Sequence, residues 1–585
     1  MFTKVSTKCI KDPSLLSLNA NILYPLTSYF PGIPFAQPPI GPLRWRKPLP
    51  PLSWQGIRNS FDSRDAAIQD ALYKQGSSSE FLDKILAAGT PSNANVATKH
   101  QTVRPPPPGY SEDCLYLNIW SPSTAKKNNA KLPIMMWIHG GAHQDGSIVH
   151  YDGSTLCMQG RKCVVVCVQY RLGVMGFFTH PELKQESSTG ESCGNYGLMD
   201  HVRAMEWIKN NGSFFGGDPN NITIFGESAG GTSVNTMMVC PSAQGLFSRA
   251  ISQSGSGVSV GHDLNERCNV GVDFQKHVNC TSLNDLRNLS AEQIQRGTMR
   301  DPNDTNLILQ PFRFNIVTDG IVIPFQGLEK VFQQGQHHNV PFIVGFNAEE
   351  GGSMWPLIKA PTIQVMSNMN VLQHWPIVGY KKLNIALKAM FGPEDSLNYQ
   401  KSVQLYLNSD FALKGTTKDE RADKASIVMS GDNMFGAPSE ILAAHAANSH
   451  ETYGTAPCYM YLFTRTPSGR AGEQMGSYHG SEIDFVFGSG LGLAKMLPAP
   501  GDERLKEVMS TAWVDFAHDG KIDAIEWKKY SSSNKGTVME FGQGGVTGMI
   551  RDVKMMERFE LLDESDLSGR DKNVLLKRNG VKSKL

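Results

Sequence analysis

Apolar residues fall into short runs that alternate with helical spacing from about residue 130 onward. Pro133–Ile138 is apolar throughout and leads to Gly140-Gly141, and Cys163–Tyr170 (CVVVCVQY) is a second run, rich in β-branched residues. Both predict buried strands. Gly197 to Asn211 carries Leu198, Val202, Met205 and Ile208 three or four positions apart, which predicts a helix with one buried face. Ile222–Phe225 reads as a short strand followed at once by small residues and another helical pattern. Further strands are expected at Arg249–Gln253, Phe342–Phe346 and Cys458–Phe463, whereas the stretch between 360 and 445 is mostly helical in pattern. Strands apolar on both faces, alternating with helices, indicate an α/β fold with a mostly parallel central sheet flanked by helices.

Composition adds exclusions. A chain of 585 residues, 40% hydrophobic and 19% charged, has the make-up of a soluble globular protein. Lys and Arg number 56 against 55 Asp and Glu, so the net charge of +1 offers no attraction to nucleic acid or acidic lipid. The longest apolar run, Cys163 to Phe178, is broken by Gln169 and Arg171, and no transmembrane segment is expected. None of the ten cysteines shows paired metal-ligand spacing, since Cys163 and Cys167 share one predicted strand. Neither a metal nor another cofactor is expected.

Chemistry enters with two Gly-x-Ser-x-Gly matches, Gly190-Glu191-Ser192-Cys193-Gly194 and Gly226-Glu227-Ser228-Ala229-Gly230. A serine nucleophile of this kind sits on a sharp strand-to-helix turn, where glycines permit close backbone approach. Ser192 follows the polar stretch Lys184–Thr189 and is expected on a surface loop. Ser228 follows the strand at 222–225 and precedes Ala229-Gly230-Gly231-Thr232-Ser233, the opening of a helix. The free amides and dipole of that helix favour developing negative charge. Ser228 is the expected nucleophile. Directly after the strand at 133–138, His139-Gly140-Gly141-Ala142 has the small residues needed to turn amides inward onto an oxyanion. Gly141, Ala142 and Ala229 are the expected donors. His139 and His143 lie too early in chain order to be the general base, and His479, in a Gly- and Ser-flanked loop, is one candidate among fifteen histidines.

Together these segments resemble the type-B carboxylesterase and cholinesterase family, whose fold is that of the α/β-hydrolases. The similarity runs from Tyr29-Phe30-Pro31-Gly32-Ile33-Pro34-Phe35-Ala36 to about Tyr530, and includes Glu112-Asp113-Cys114-Leu115-Tyr116-Leu117-Asn118, Tyr170-Arg171-Leu172-Gly173 and Phe215-Gly216-Gly217-Asp218-Pro219. It implies one domain over residues 29–565, a divergent N-terminal segment 1–28 and a polar tail 566–585. It also implies a triad in the order Ser, Glu, His. The family's acid stands just before a glycine after a strand, which selects Glu350 over Glu349 in Phe342–Gly351. Its base lies in a His-Gly-x-Glu/Asp-Ile setting, here His479-Gly480-Ser481-Glu482-Ile483. The implied reaction is hydrolysis of a small-molecule carboxylic ester through an acyl-enzyme. Two alternatives accompany it: amide cleavage by the same triad, and a non-catalytic adhesion protein of the same fold.

The chain also departs from the family. Cholinesterases hold the choline cation on a tryptophan shortly before the Glu-Asp-Cys motif, but Gln101-Thr102-Val103-Arg104-Pro105 has none and carries an Arg, so a general carboxylesterase is expected. The family's first disulfide needs a cysteine between Cys9 and Cys114, and none is present; Cys268 and Cys280 match the spacing of its second. The N-terminal stretch is a poor signal peptide, and Lys582-Ser583-Lys584-Leu585 ends in a peroxisomal address. Peroxisomal or cytoplasmic location, with an import receptor as partner, is therefore expected, and secretion is the alternative. Five Asn-x-Ser/Thr sites, at Asn211, Asn221, Asn279, Asn288 and Asn303, would matter only in that alternative. Asp515–Glu526 matches an EF-hand loop in part, but Ala517 at its third position offers no oxygen, and calcium binding is not expected.

Overall fold

The computed structural model describes residues 26–54, 56, 64–69, 107–126, 128–187, 192–255, 261–298, 314–354, 379–488, 498–522 and 525–564. The start of the N-terminal segment, Gln101–Pro105, the first two residues of the Ser192 motif, Asn303 and the tail with its terminal Ser-Lys-Leu lie outside the described residues.

Ten strands form one sheet: β1 (Thr27–Pro34), β2 (Tyr116–Pro122), β3 (Leu132–Ile138), β4 (Val164–Val168), β5 (Gly217–Glu227), β6 (Arg249–Gln253), β7 (Phe342–Asn347), β8 (Cys458–Phe463), β9 (Thr537–Phe541) and β10 (Thr547–Arg551). Their spatial order is β1-β2-β4-β3-β5-β6-β7-β8-β9-β10. Strands β4 through β9 pair in parallel. Antiparallel β1 and β2 close one edge, and antiparallel β10 closes the other.

Alternation along the parallel strands feeds two cores. In β3, Ile134, Met136 and Ile138 enter one cluster, while Met135 and Trp137 enter the other. Strand β4 does the same, with Val164, Val166 and Val168 opposed to Val165 and Cys167. A sheet buried on both faces requires helices on both. On the first face lies α1 (Tyr196–Asn211), which buries Leu198, Val202, Met205 and Ile208 as its periodicity predicts. On this face are also α2 (Ala229–Met237), α3 (Leu264–His277), α4 (Lys418–Gly431) and α5 (Ala437–Tyr453), each contributing residues to the same cluster. On the second face α6 (Asp502–Asp519) buries Leu505, Met509, Trp513 and Phe516 beside Trp137.

Three expectations need correction. The strand read at 222–225 extends from Gly217 to Glu227, because pairing with β3 carries it beyond its apolar segment. Ser192 is not on a surface loop: it is buried, and its hydroxyl donates to the Asp319 carboxylate. Asp515–Asp519, the start of the EF-hand match, is the last turn of α6 rather than a loop. The nine described cysteines all carry free thiols. Cys268 interacts with Cys193, while the Cys280 thiol faces the Val278 carbonyl at 3.8 Å.

Candidate active site

The parallel strands deliver the sequence-predicted residues to one end of the sheet. Strand β5 ends at Glu227, and Ser228 turns the chain into α2 with φ 59° and ψ −124°, a conformation that costs a non-glycine residue energy. The turn is held from both sides. The Ser228 N–H donates to the Gln253 carbonyl at the end of β6, at 2.9 Å, and the Ser228 carbonyl accepts from Thr232 at 2.8 Å. At Gly230 a Cβ would lie 2.0 Å from the Ile138 carbonyl oxygen, so only glycine lets α2 start against the end of β3.

The loop after β3 packs on this turn. A Cβ at Gly140 would meet that of Ser228 at 2.9 Å. Gly141, Ala142 and His143 all have positive φ, at 106°, 54° and 60°, and the Gly141 carbonyl accepts from the N–H groups of Gln144 and Asp145. Among the described residues no hydrogen bond engages the N–H of Gly141, Ala142 or Ala229. Three unengaged amides therefore line the two segments that meet at Ser228.

His479 and Glu350 come together as expected. Glu350 follows β7 and is buried; its Oε2 lies 2.6 Å from His479 Nδ1. Its Oε1 accepts from the Ser254 hydroxyl at 2.5 Å and the Asn347 N–H at 2.7 Å. Glu349 points elsewhere, accepting the N–H and hydroxyl of Ser477. A π-helical turn, Asp432–Gly436, joins α4 to α5 and stacks Phe435 on the imidazole with ring centroids 4.4 Å apart. The other ring nitrogen, Nε2, lies 3.2 Å from Glu227 Oε1, and among the described residues no hydrogen bond links it to Ser228 Oγ. Burial opposes charge on this ring, but the carboxylates of Glu227, Glu350 and Glu482 outweigh it and raise its pKa to about 9.

Comparison with known proteins gives the family. A model of the carboxylesterase family matches residues 21–557. The chain belongs to that family. It is 32% identical over 527 residues to the fumonisin B1 esterase of Sphingopyxis macrogoltabida, covering 88% of this chain and 83% of the relative. Carboxylesterase 1E of Mus musculus is 32% identical over 529 residues, covering 86% and 84%. A solved PNB esterase structure superposes with a TM-score of 0.67 at 26% identity, covering 92% of this chain and 96% of that one. The chain is accordingly a carboxylic ester hydrolase of the α/β-hydrolase fold.

This carboxylesterase surrounds its imidazole with groups that sequence reasoning passed over. Glu227 is the variable position of Gly-x-Ser-x-Gly, and only its acidity next to Ser228 hinted at a role. Glu482 is fully buried; it accepts from Asn347 Nδ2 at 2.7 Å and Gln253 Nε2 at 3.0 Å, and burial together with nearby Glu350 pushes its pKa up. Ser254 immediately follows β6 with no motif around it, and Phe435 gave no signal at all. No group of three or more His, Cys, Asp or Glu residues could hold a metal ion among the described residues. No described helix is long and apolar enough to cross a membrane.

Proposed function

We propose that Ser228 is the nucleophile, His479 the general base and Glu350 the residue that orients and stabilises the imidazole. The observation that carries this reading is the 2.6 Å contact between His479 Nδ1 and buried Glu350, beside a strained Ser228. With Nδ1–H committed to Glu350, Nε2 is left as the basic nitrogen on the side of the elbow. Ser228 Oγ attacks the ester carbonyl carbon and passes its proton to Nε2 through a hydrogen bond that forms as substrate seats. The amides of Gly141, Ala142 and Ala229 receive the oxyanion. The C–O bond then breaks, and the alcohol leaves with the proton from Nε2. Water, deprotonated by the same nitrogen, attacks the acyl-enzyme and releases the acid and Ser228.

The proposed substrate is a small ester without a cationic alcohol. Its support is the sequence Gln101–Pro105, which offers no tryptophan face for a cation and carries Arg104. The test is Ser228→Ala with p-nitrophenyl acetate as substrate. Turnover is expected to fall by at least about 10⁴-fold with the circular-dichroism spectrum unchanged, whereas undiminished turnover would overturn the assignment.

A further inference from the structure

His143 lies outside the triad, yet its side chain ties the loop after β3 to its surroundings. Its ring is buried, with Nε2 3.0 Å from the Ser233 hydroxyl, one turn into α2. It also contacts the Ala229 backbone and the Asn315 side chain. Phe177 packs on the ring at 5.1 Å between centroids, and Tyr170 meets it edge-on at 6.2 Å. The His143 carbonyl accepts from the Gly173 N–H at 2.7 Å, which ties the backbone down as well. This histidine holds φ at 60°, a left-handed conformation unfavourable for a residue with a Cβ.

The arrangement matters because the unengaged amides come from two separate segments. Gly141 and Ala142 belong to the loop, and Ala229 opens the helix. For the three to serve one oxygen atom, the loop and the helix must keep a fixed spacing, and a misplacement of about 1 Å can cost about 10²-fold in rate. His143 follows Ala142 directly, and its ring is hydrogen-bonded to Ser233 and lies against the Ala229 backbone, so a single ring spans the gap. Burial, reinforced by nearby His139, lowers its pKa to about 4, so the ring bridges as a neutral group at neutral pH.

We propose that His143 is a positioning residue for ester hydrolysis, its ring clamping the loop carrying Gly141 and Ala142 to the helix carrying Ala229. The inference rests on the assignment of those amides to the oxyanion. The clamp acts on the transition state rather than on substrate affinity, because its effect appears only when the carbonyl oxygen becomes negative.

The experiment compares His143→Phe, which keeps a flat ring but loses the hydrogen bond, with His143→Gln, which keeps an amide donor. For p-nitrophenyl acetate, kcat is expected to fall about tenfold or more in His143→Phe, with KM within about twofold, and to recover in part in His143→Gln. The inhibition constant of an aryl trifluoromethyl ketone, which forms an oxyanion on the enzyme, is expected to rise by the same factor as kcat/KM falls. Ser233→Ala removes the same bond from the helix side and provides the test should His143→Phe fail to fold; its expected kcat loss is similar, and the double variant is not additive. Wild-type kcat in the folded variants, or a ketone constant that does not follow kcat/KM, would overturn the clamp. Those outcomes with Ser228→Ala inactive would remove only the clamp; activity in Ser228→Ala would remove the site assignment and the clamp together.

Discussion

Glu227 Oε1 lies 3.2 Å from His479 Nε2, so the ring has a carboxylate at each of its two nitrogens. A base must be neutral to accept a proton, and the pKa near 9 places the acid limb of activity at high pH. Glu227→Gln removes one charge that favours the imidazolium. The acid limb of kcat/KM is expected to move to lower pH by about one pH unit or more, read from a pH–rate profile. An unmoved limb would mean that Glu227 does not act on the imidazole.

Ser254 bears on the far oxygen of the same system. Its hydroxyl donates to Glu350 Oε1 at 2.5 Å, while His479 takes Oε2. A hydrogen bond to a charged group contributes roughly 1.5–3 kcal/mol, and its loss here loosens the carboxylate proposed to orient the base. Ser254→Ala is expected to lower kcat about tenfold with KM little changed, in steady-state assays at the pH optimum. A proportional rise in KM instead would show that Ser254 serves binding.

Arg171 and Asp200 form a pair with side chains 3% and 0% exposed. Asp200 accepts from Arg171 Nε at 2.9 Å, from Nη2 at 2.7 Å and from its backbone N–H at 3.0 Å. Removing one partner leaves a buried charge uncompensated. Asp200→Ala is expected to cost about 3–5 kcal/mol in urea denaturation. A loss below about 1 kcal/mol would place the pair among the weak ones.

His139, His143 and His201 are buried around Tyr170, and burial depresses the pKa of each. His139 and His143 fall from 6.5 to about 4, and His201 also lies well below the ordinary value. Unfolded chains bind protons that the folded protein refuses, so this contribution to stability is complete above pH 6.5 and declines as the pH drops toward 4. His139 and His143 each account for on the order of 3 kcal/mol across that window, and His201 adds in the same direction. Thermal melts should therefore show Tm falling steeply between pH 6.5 and 4, and a flat profile would contradict the neutral cluster.

The strand Cys458–Phe463 is apolar on both faces and was read with the bounds it has; so was Arg249–Gln253, although only Ala250 and Ile251 in it are apolar. Strand β2 was harder to read, since Asn118 and Ser121 are buried in it and break the apolar run. Ser192 was misread for a related reason. Its polar neighbours suggested solvent, but its partner, Asp319, stands 127 positions away. At the site, the sharp turn at Ser228 and the glycine loop after β3 were legible as local pattern, and the pairing of His479 with Glu350 came from family resemblance. Ser254 and Phe435 have roles set by tertiary proximity, which no local spacing encodes, whereas Glu482 stands in the His-Gly-x-Glu/Asp-Ile setting but its buried partners Asn347 and Gln253 are distant in sequence.

The close approach of Gly230 to Ile138 also has a consequence for how the protein acquires activity. The serine turn is completed only when the end of β3, the end of β6 and the start of α2 touch through their backbones. These segments are separated by dozens of residues, and their docking closes long loops, which is slow compared with local helix formation. During refolding from urea, esterase activity is therefore expected to return after the helical circular-dichroism signal. Regain of turnover would then report completion of the parallel sheet.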